Sequence, residues 1–186
     1  MYNLLKNFKM FKKVSKTKLL ICDCDGVMTN GLIYIGNSGE EIKTFNVQDG
    51  YGIRCIKKIG IEVAIISGGV SKTLENRSRF LGIRHLYQGC YEKEEAYFDL
   101  LNKLQIVSEE VTYIGDDIID LPVMSKVGFS VAVPNSHPKV LQKSDYITEK
   151  FGGNGAVREV CDIILFSKKL FFEKNKTISL DTIEKS

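Results

Sequence analysis

The sequence predicts an α/β fold, a Rossmann-like doubly wound parallel sheet with helices on both faces. The main observation is that short β-rich apolar runs alternate along the chain with segments of helical periodicity. The length of 186 residues, with 44% hydrophobic and 26% charged residues, is typical of one globular domain. We therefore expect ligands to bind beyond the carboxyl ends of the strands, where such sheets form their sites.

The individual elements follow from these two periodicities. The predicted strands are 18–24, 62–66, 85–88, 111–115, 129–133 and 145–148. The predicted helices are 50–59, 70–81, 92–105, 117–126 and 155–166. The third helix illustrates the evidence, since Tyr97, Leu100 and Leu104 recur at the spacing of one helical face.

One segment, residues 31–48, interrupts the alternation and is predicted to form a β-hairpin. An apolar run at 32–35 and a mixed segment from Ile42 to Val47 flank a glycine-containing turn at 36–39. Because an isolated two-stranded hairpin is only marginally stable in water, we expect it to pack as a flap over the site. We also expect the flap to be shared with another subunit.

The chain is predicted to have three parts: a basic arm at 1–17, a globular domain at 18–172 and a C-terminal tail at 173–186. The arm intersperses lysines with apolar residues, which is typical of an amphipathic segment. The residues concerned are Lys6, Lys9, Lys12, Lys13, Lys16 and Lys18 among Leu5, Phe8, Met10 and Phe11. We expect the arm to lie on the domain or on a neighbouring subunit. A helix on a membrane surface is the less favoured alternative.

Charge, hydropathy and cysteine content argue against several classes of function. A net charge of +3 is too small to indicate nucleic-acid binding. No stretch reaches the ~18 apolar residues needed to cross a bilayer, and nothing resembles a signal peptide. Five cysteines, an odd number and mostly in apolar patterns, favour reduced thiols over disulfides. The sequence therefore predicts a cytoplasmic protein without nucleic-acid or membrane partners.

Two carboxylates at the end of the first predicted strand are the most informative feature of the sequence. Asp23 and Asp25 come directly after an apolar run and before Gly26. Because residues i and i+2 of a strand point to the same side, both carboxylates should emerge together. Adjacent carboxylates repel each other, so either one is protonated or a cation lies between them. We predict a metal-assisted reaction centre here, with Cys22 and Cys24 facing away as packing residues.

Three further strand ends carry polar residues suited to the same site. Ser67 and Gly68 follow the second strand, where a hydroxyl and free backbone N–H groups can bind phosphoryl oxygens. Lys93 lies near the start of the helix that follows the third strand. The acids that follow the fourth strand are Asp116, Asp117 and Asp120. Taken singly these features are weak, since they also fit a plain turn, a solvated lysine and acids that favour a helix N-terminus.

The four motifs together are specific. Their order, Asp-x-Asp-Gly, Ser, Lys and Gly-Asp-Asp-x-x-Asp, resembles that of the haloacid dehalogenase superfamily of phosphotransferases. By this resemblance, Asp23 is the nucleophile that forms an aspartyl-phosphate, and Asp25 protonates the leaving oxygen and then activates water. Lys93, Ser67 and the backbone at Gly68 are implied to bind the phosphoryl oxygens.

The resemblance also implies a Mg²⁺ cofactor. Its ligands would be Asp23, the backbone carbonyl of Asp25, Asp116 and waters. Asp117 would orient the metal ligands or Lys93, and Asp120 would support the site from behind the ligands.

The spacing of the motifs leaves no room for a cap domain, because only the hairpin and one helix separate the first strand from the second. Within the superfamily, residues from about 18 to 165 resemble the capless phosphatases of 3-deoxy-D-manno-octulosonate 8-phosphate, which act in lipopolysaccharide precursor synthesis. The segments that carry the resemblance are 23–27, 31–34, 45–54, 85–89, 115–117 and 152–159. The resemblance implies a sugar-acid phosphate as substrate and a homotetramer in which neighbouring subunits complete each site.

Several alternatives stay open at this point. Gly69 and Asn154 stand where this family often has arginine, which suits an anionic sugar acid. A related substrate, such as a nonulosonate 9-phosphate, is therefore an alternative, as is a non-catalytic phosphate-binding homologue. A phospho-accepting receiver domain is disfavoured because the third strand ends in Gly89 and Cys90 without an acceptor aspartate. A dinucleotide-binding domain is disfavoured because no Gly-x-Gly-x-x-Gly follows the first strand.

Overall fold

The computed structural model describes residues 8–174. Residues 1–7 of the predicted arm and 175–186 of the predicted tail lie outside the described part of the chain. The division into an arm, a domain and a tail therefore stays a prediction.

A six-stranded parallel sheet forms the centre of the domain, in the order β5-β4-β1-β6-β7-β8. Its strands are β1 (Leu19–Cys22), β4 (Glu62–Ile66), β5 (His85–Tyr87), β6 (Val111–Gly115), β7 (Phe129–Ala132) and β8 (Tyr146–Ile147). The central strand β1 pairs with β4 on one side and with β6 on the other, so that Cys22 lies beside Ile65 and Ile114. The chain winds outwards in both directions from β1, which places a binding crevice at its carboxyl end.

Helices cover both faces of the sheet, as the sequence predicts. The α-helices are α1 (Phe8–Ser15), α2 (Val47–Lys58), α3 (Lys72–Phe80), α4 (Lys93–Leu104), α5 (Leu121–Met124), α6 (Pro138–Lys143) and α7 (Ala156–Lys174). Alternate residues of β1 point to opposite faces: Leu20 packs with α2 and α7, and Ile21 packs with α4. Cys22 and Cys24 are buried in the core between the sheet and helices α2 and α7, which confirms their prediction as packing residues.

One helix was not predicted, and two others differ clearly from their predicted extent. Helix α6 was missed because it is short and begins at a proline, with His137 as its N-cap. The segment predicted as a helix at 117–126 is a 3₁₀ turn, Ile118–Asp120, followed by the four-residue α5. Helix α7 continues to Lys174 instead of ending at 166.

The predicted hairpin is present but shorter than expected. Its strands are β2 (Tyr34–Ile35) and β3 (Glu41–Ile42), which pair antiparallel, and Val47 begins α2 instead of ending the hairpin. The side chains of both strands are exposed, including Ile35 at 72%. The apolar pattern over-predicted the length of the hairpin. An isolated two-stranded pair is only marginally stable, so apolar residues alone did not specify how far the pairing extends.

Helix α1 lies on the domain, which is one of the two placements expected for the arm. Val14 is fully buried in the core shared with α7. Lys168 on α7 donates to the Ser15 carbonyl at 2.7 Å, and Lys13 forms an ion pair with Asp145 at 2.6 Å. Among the described residues, no helix has the length and apolar character required to cross a bilayer.

Candidate active site

The loop after β1 presents both aspartates at the carboxyl end of the sheet. The Asp23 amide donates to the Ile114 carbonyl at 2.9 Å, which continues the pairing of β1 with β6 by one residue. Gly26 adopts φ +89°, a conformation that favours glycine, and the chain turns back there. The Thr29 hydroxyl accepts the amides of Gly26 and Gly31 and so stabilises this turn.

Lys93 reaches Asp23 from the start of α4. Its ammonium group lies 2.5 Å from Asp23 Oδ1 and 2.6 Å from Asp120 Oδ1. The lysine is 1% exposed, so its charge is balanced by these carboxylates and not by water. The structure thus brings together residues 70 positions apart in the sequence, as the strand-end argument predicts.

Asp120 is more central than the sequence analysis expected. Its two carboxylate oxygens accept four hydrogen bonds from the chain, including 2.6 Å from the Tyr113 hydroxyl and 2.9 Å from the Asp116 amide. Asp117 lies at the exposed start of the 3₁₀ turn, and its carboxylate accepts the Ile118 amide at 2.7 Å. Of the acids that follow β6, Asp120 rather than Asp117 is therefore the one in contact with Lys93.

The carboxylates of Asp23 and Asp116 repel each other electrostatically. Burial, followed by the nearby charge of Asp120, raises the pKa of Asp23 from 3.8 to about 7, although Lys93 acts in the opposite direction. Burial and the charge of Asp23 raise the pKa of Asp116 from 3.8 to about 8. Gly26 permits the Asp116 carboxylate to approach the loop after β1, because a Cβ at position 26 would overlap that carboxylate.

These residues fit a divalent metal ion. Carboxylate oxygens of Asp23, Asp116 and Asp120 all lie within 4.8 Å of one another. Since Asp120 is already saturated by Lys93, Tyr113 and two amides, the carboxylates left to bind a cation are Asp23 and Asp116. A hard, oxygen-preferring ion such as Mg²⁺ suits this donor set and offsets the repulsion described above.

Ser67, Gly68 and Gly69 border the same space from the end of β4. Ser67 is 2% exposed, and its amide and carbonyl bond to Tyr87 and Cys90, which holds the turn in place. A Cβ built on Gly69 would lie 3.6 Å from Asp25 Oδ2 and 4.0 Å from Ser67 Oγ. The side chains of Asp25 and Ser67 therefore both lie near Gly69.

Two residues of this region were missed by sequence reasoning. Asn135 donates to the Gly26 carbonyl at 2.9 Å and accepts the Gly152 amide at 2.9 Å, so it joins the loop after β1 to the glycine loop before α7. Asn135 follows the fifth predicted strand, a signal that could have identified it. Lys43 forms an ion pair with Asp25. The sequence did not indicate this contact, because Lys43 lies in a hairpin that was not expected to contribute site residues.

Comparison with known proteins agrees with this geometry. Residues 70–160 match the family of haloacid dehalogenase-like hydrolases. The 3-deoxy-D-manno-octulosonate 8-phosphate phosphatase KdsC of Yersinia pestis is 57% identical over 159 residues, 86% of this chain and 85% of that protein. A crystal structure of the 3-deoxy-D-manno-octulosonate 8-phosphate phosphatase from Yersinia pestis superposes with a TM-score of 0.86 at 56% identity, covering 87% and 88% of the two chains.

A second solved structure adds information about ligands. The 3-deoxy-D-manno-octulosonate 8-phosphate phosphatase from Moraxella catarrhalis, crystallised with magnesium, phosphate and KDO, superposes with a TM-score of 0.84 at 41% identity and covers 91% of this chain and 97% of that one. The high identity over most of both chains, together with the acids and lysine at the strand ends, shows that this chain belongs to the 3-deoxy-D-manno-octulosonate 8-phosphate phosphatase family of haloacid dehalogenase-like hydrolases.

Proposed function

We propose that this protein hydrolyses 3-deoxy-D-manno-octulosonate 8-phosphate to the free sugar acid and phosphate. The observation that carries the proposal is the contact of the buried Lys93 with Asp23 at 2.5 Å, with Asp116 close by. Its support from relatives is the 57% identity to a phosphatase named for this substrate. Phosphate monoesters are among the slowest molecules to hydrolyse unaided, so a site for them must supply strong charge stabilisation.

The reaction proceeds in two displacements. A carboxylate oxygen of Asp23 attacks phosphorus and the bond to the ester oxygen breaks, while Asp25 gives its proton to that oxygen. Water then attacks phosphorus of the aspartyl-phosphate, Asp25 takes the proton of the water, and Asp23 is released. Lys93, the Ser67 hydroxyl and the Gly68 amide bind the phosphoryl oxygens during both steps.

Asp23, Asp116 and the carbonyl of Asp25 would hold the Mg²⁺ ion. When bound, the ion offsets the negative charge of the phosphoryl group against that of the attacking carboxylate. Asp120 keeps Lys93 in place from the opposite side of its ammonium group.

The test is phosphate release with Mg²⁺ from three esters: 3-deoxy-D-manno-octulosonate 8-phosphate, a nonulosonate 9-phosphate and p-nitrophenyl phosphate. Asp23→Asn serves as the blank. A strong preference for the octulosonate ester, abolished in the variant, supports the proposal. Preference for the nonulosonate would redirect the proposal to that substrate. Activity of Asp23→Asn equal to that of the unaltered protein would refute the assignment of the nucleophile.

We propose further that the enzyme is a cytoplasmic homotetramer that acts in lipopolysaccharide precursor synthesis. The exposed apolar side chains of the flap support association, because a large apolar surface on a soluble protein indicates a partner. They are Leu32 at 61%, Ile33 at 71%, Ile35 at 72% and Ile42 at 50% exposure. Light scattering after size exclusion tests the tetramer, and a monomeric mass of 21.0 kDa would refute it.

A further inference from the structure

We propose that Thr29 is a positioning residue for the metal ion, because its hydroxyl group sets the direction of the Asp25 backbone carbonyl. The inference rests on the proposed function, in which that carbonyl is a ligand of Mg²⁺. Thr29 lies in the loop after β1, outside the four motifs, and is 2% exposed. Its role is exerted through the backbone of this loop.

The carbonyl of Asp25 differs from its neighbours in the loop. The Cys24 carbonyl accepts the Thr29 amide at 3.0 Å, and the Gly26 carbonyl accepts the Asn135 side-chain amide at 2.9 Å. The Asp25 carbonyl between them accepts no hydrogen bond from the described part of the chain. A backbone carbonyl needs a partner, and a hard cation is one that suits it. The hydrogen bonding of the loop therefore leaves this one carbonyl for a metal ion.

The Thr29 hydroxyl holds the peptide unit to which this carbonyl belongs. The peptide bond between Asp25 and Gly26 is trans, so its carbonyl and its N–H point in opposite directions. The Gly26 N–H donates to Thr29 Oγ1 at 3.3 Å, which directs the Asp25 carbonyl away from the Thr29 side chain. Thr29 Oγ1 also accepts the Gly31 amide at 3.2 Å, and this second bond fixes the position of the hydroxyl oxygen.

Gly26 cannot supply this orientation by itself. Its φ of +89° is accessible to glycine, but a residue without a Cβ also reaches many other conformations. Asn135 holds the other side of Gly26, so both backbone polar groups of this glycine are bound to side chains. The Asp116 carboxylate lies against the same glycine. The Asp25 carbonyl is thus held close to another proposed ligand of the ion.

The experiment measures the binding of Mg²⁺ directly. A ligand that is already oriented binds more tightly, because binding does not have to order it. Thr29→Val keeps the shape of the side chain but lacks the hydroxyl. We expect it to raise the Kd for Mg²⁺ about 10-fold, the lower end of the cost of losing a residue that orients a metal ligand. Isothermal titration of protein freed of metal with EDTA gives this Kd without substrate or turnover.

Two further variants separate this role from a general loss of stability. Thr29→Ser keeps the hydroxyl and should restore most of the affinity. Thr17→Val is the matched control, because Thr17 is 1% exposed and its hydroxyl bonds to that of Thr112 at 2.7 Å, at the amino end of the sheet. Both valine variants remove a buried hydroxyl and should lower the Tm measured in EDTA. Only Thr29→Val should weaken the binding of Mg²⁺.

Phosphate release gives a second measurement. In Thr29→Val, the Mg²⁺ concentration that gives half-maximal activity should rise in step with the Kd, whereas kcat at saturating Mg²⁺ should change much less. Asn135→Ala removes the other bond to Gly26 at an exposed position and should also raise the Kd. This variant decides the case if Thr29→Val does not fold.

Several outcomes would overturn the proposal. These are an unchanged Kd in folded Thr29→Val, an equal rise in Thr17→Val, or no recovery in Thr29→Ser. An unchanged Kd in Asn135→Ala would do so if Thr29→Val does not fold, and so would a lack of Mg²⁺ binding by the unaltered protein. If the unaltered protein binds Mg²⁺ but releases no phosphate from the sugar-acid ester, the proposed function fails, and the Kd values still decide the role of Thr29.

Discussion

Lys93 and Asp120 form an ion pair that is closed to solvent, with 2.6 Å between Nζ and Oδ1 and no exposed area on either side chain. The pair joins the start of α4 to the turn after β6. Through it, Asp120 holds the ammonium group against Asp23, while Tyr113 and two amides hold Asp120. The position of the ammonium group thus depends on a buried network and not on the lysine alone.

We predict that Asp120→Asn destabilises the protein by about 3 kcal/mol, because the buried Lys93 then keeps only Asp23 of its two carboxylate partners. Urea unfolding would measure the loss. Asp117→Asn is the matched control on the same turn. Asp117 is exposed and caps the 3₁₀ turn, and asparagine caps equally well, so this variant should change little. Equal losses in the two variants would contradict the prediction.

We predict that Asp116→Asn raises thermal stability without metal and removes the stabilisation by Mg²⁺. Asp116 and Asp23 repel each other in a buried site, so the loss of one charge removes this repulsion from the metal-free protein. A metal present at 100 times its Kd should stabilise the unaltered protein by about 2.7 kcal/mol. Melting curves with Mg²⁺ and with EDTA measure both effects. Asp162→Asn, which alters a surface ion pair with Arg158, should keep the full response to Mg²⁺.

We predict that Asp49→Asn stabilises the protein at neutral pH but not near pH 4. Asp49 is 3% exposed, its Oδ1 accepts the Arg158 amide at 2.7 Å, and its Oδ2 has no hydrogen-bond partner among residues 8–174. Burial raises the pKa of Asp49 from 3.8 to about 6, against the smaller opposite effects of hydrogen bonds from the Arg158 and Gly155 amides and of the charges of Arg77 and Arg158. The folded state therefore binds more protons than the unfolded state between pH 4 and 6, and the unfolding free energy falls as pH rises through that window.

The pKa of Asp49 corresponds to about 3 kcal/mol at pH 7, an order-of-magnitude value. Urea unfolding of both proteins at intervals from pH 4 to 7 measures the difference. The advantage of Asp49→Asn should grow with pH up to about 6 and then stay constant. An advantage that does not change with pH would show that charge is not its cause.

We predict that Gly152→Ala lowers the unfolding free energy by about 1–3 kcal/mol, the usual cost of overpacking. A Cβ at this position would overlap the Gly26 carbonyl oxygen, which belongs to the loop that carries Asp25. Because that neighbour is backbone, one of the two loops must move. Gly69→Ala is the control for stability, since its Cβ would lie 3.6 Å from its nearest neighbour, Asp25 Oδ2, which is an ordinary contact. A Gly152→Ala protein as stable as the control would contradict the close contact of the loops.

Sequence reasoning recovered most of the sheet because hydrophobic periodicity is a local signal. Strands at 62–66 and 111–115 were predicted with the bounds that the structure has. Helix α6 was missed because its start is specified by a local cap and a proline rather than by periodicity. The convergence of Asp23 and Lys93 was predicted because parallel strands end at the same edge of the sheet, which brings residues near the strand ends together.

By itself, the sequence determined the α/β class, the order of the strand-end motifs and the clustering of their acids and lysine. These depend on periodicity and on the geometry common to all parallel sheets. Only the tertiary structure decided that Lys93 pairs with Asp120 rather than Asp117, that Asn135 joins two loops and that Lys43 reaches Asp25. The physical reason is that such contacts depend on side-chain directions and on how loops pack in space. Acids close together in the sequence can therefore have different environments, one buried and one in solvent.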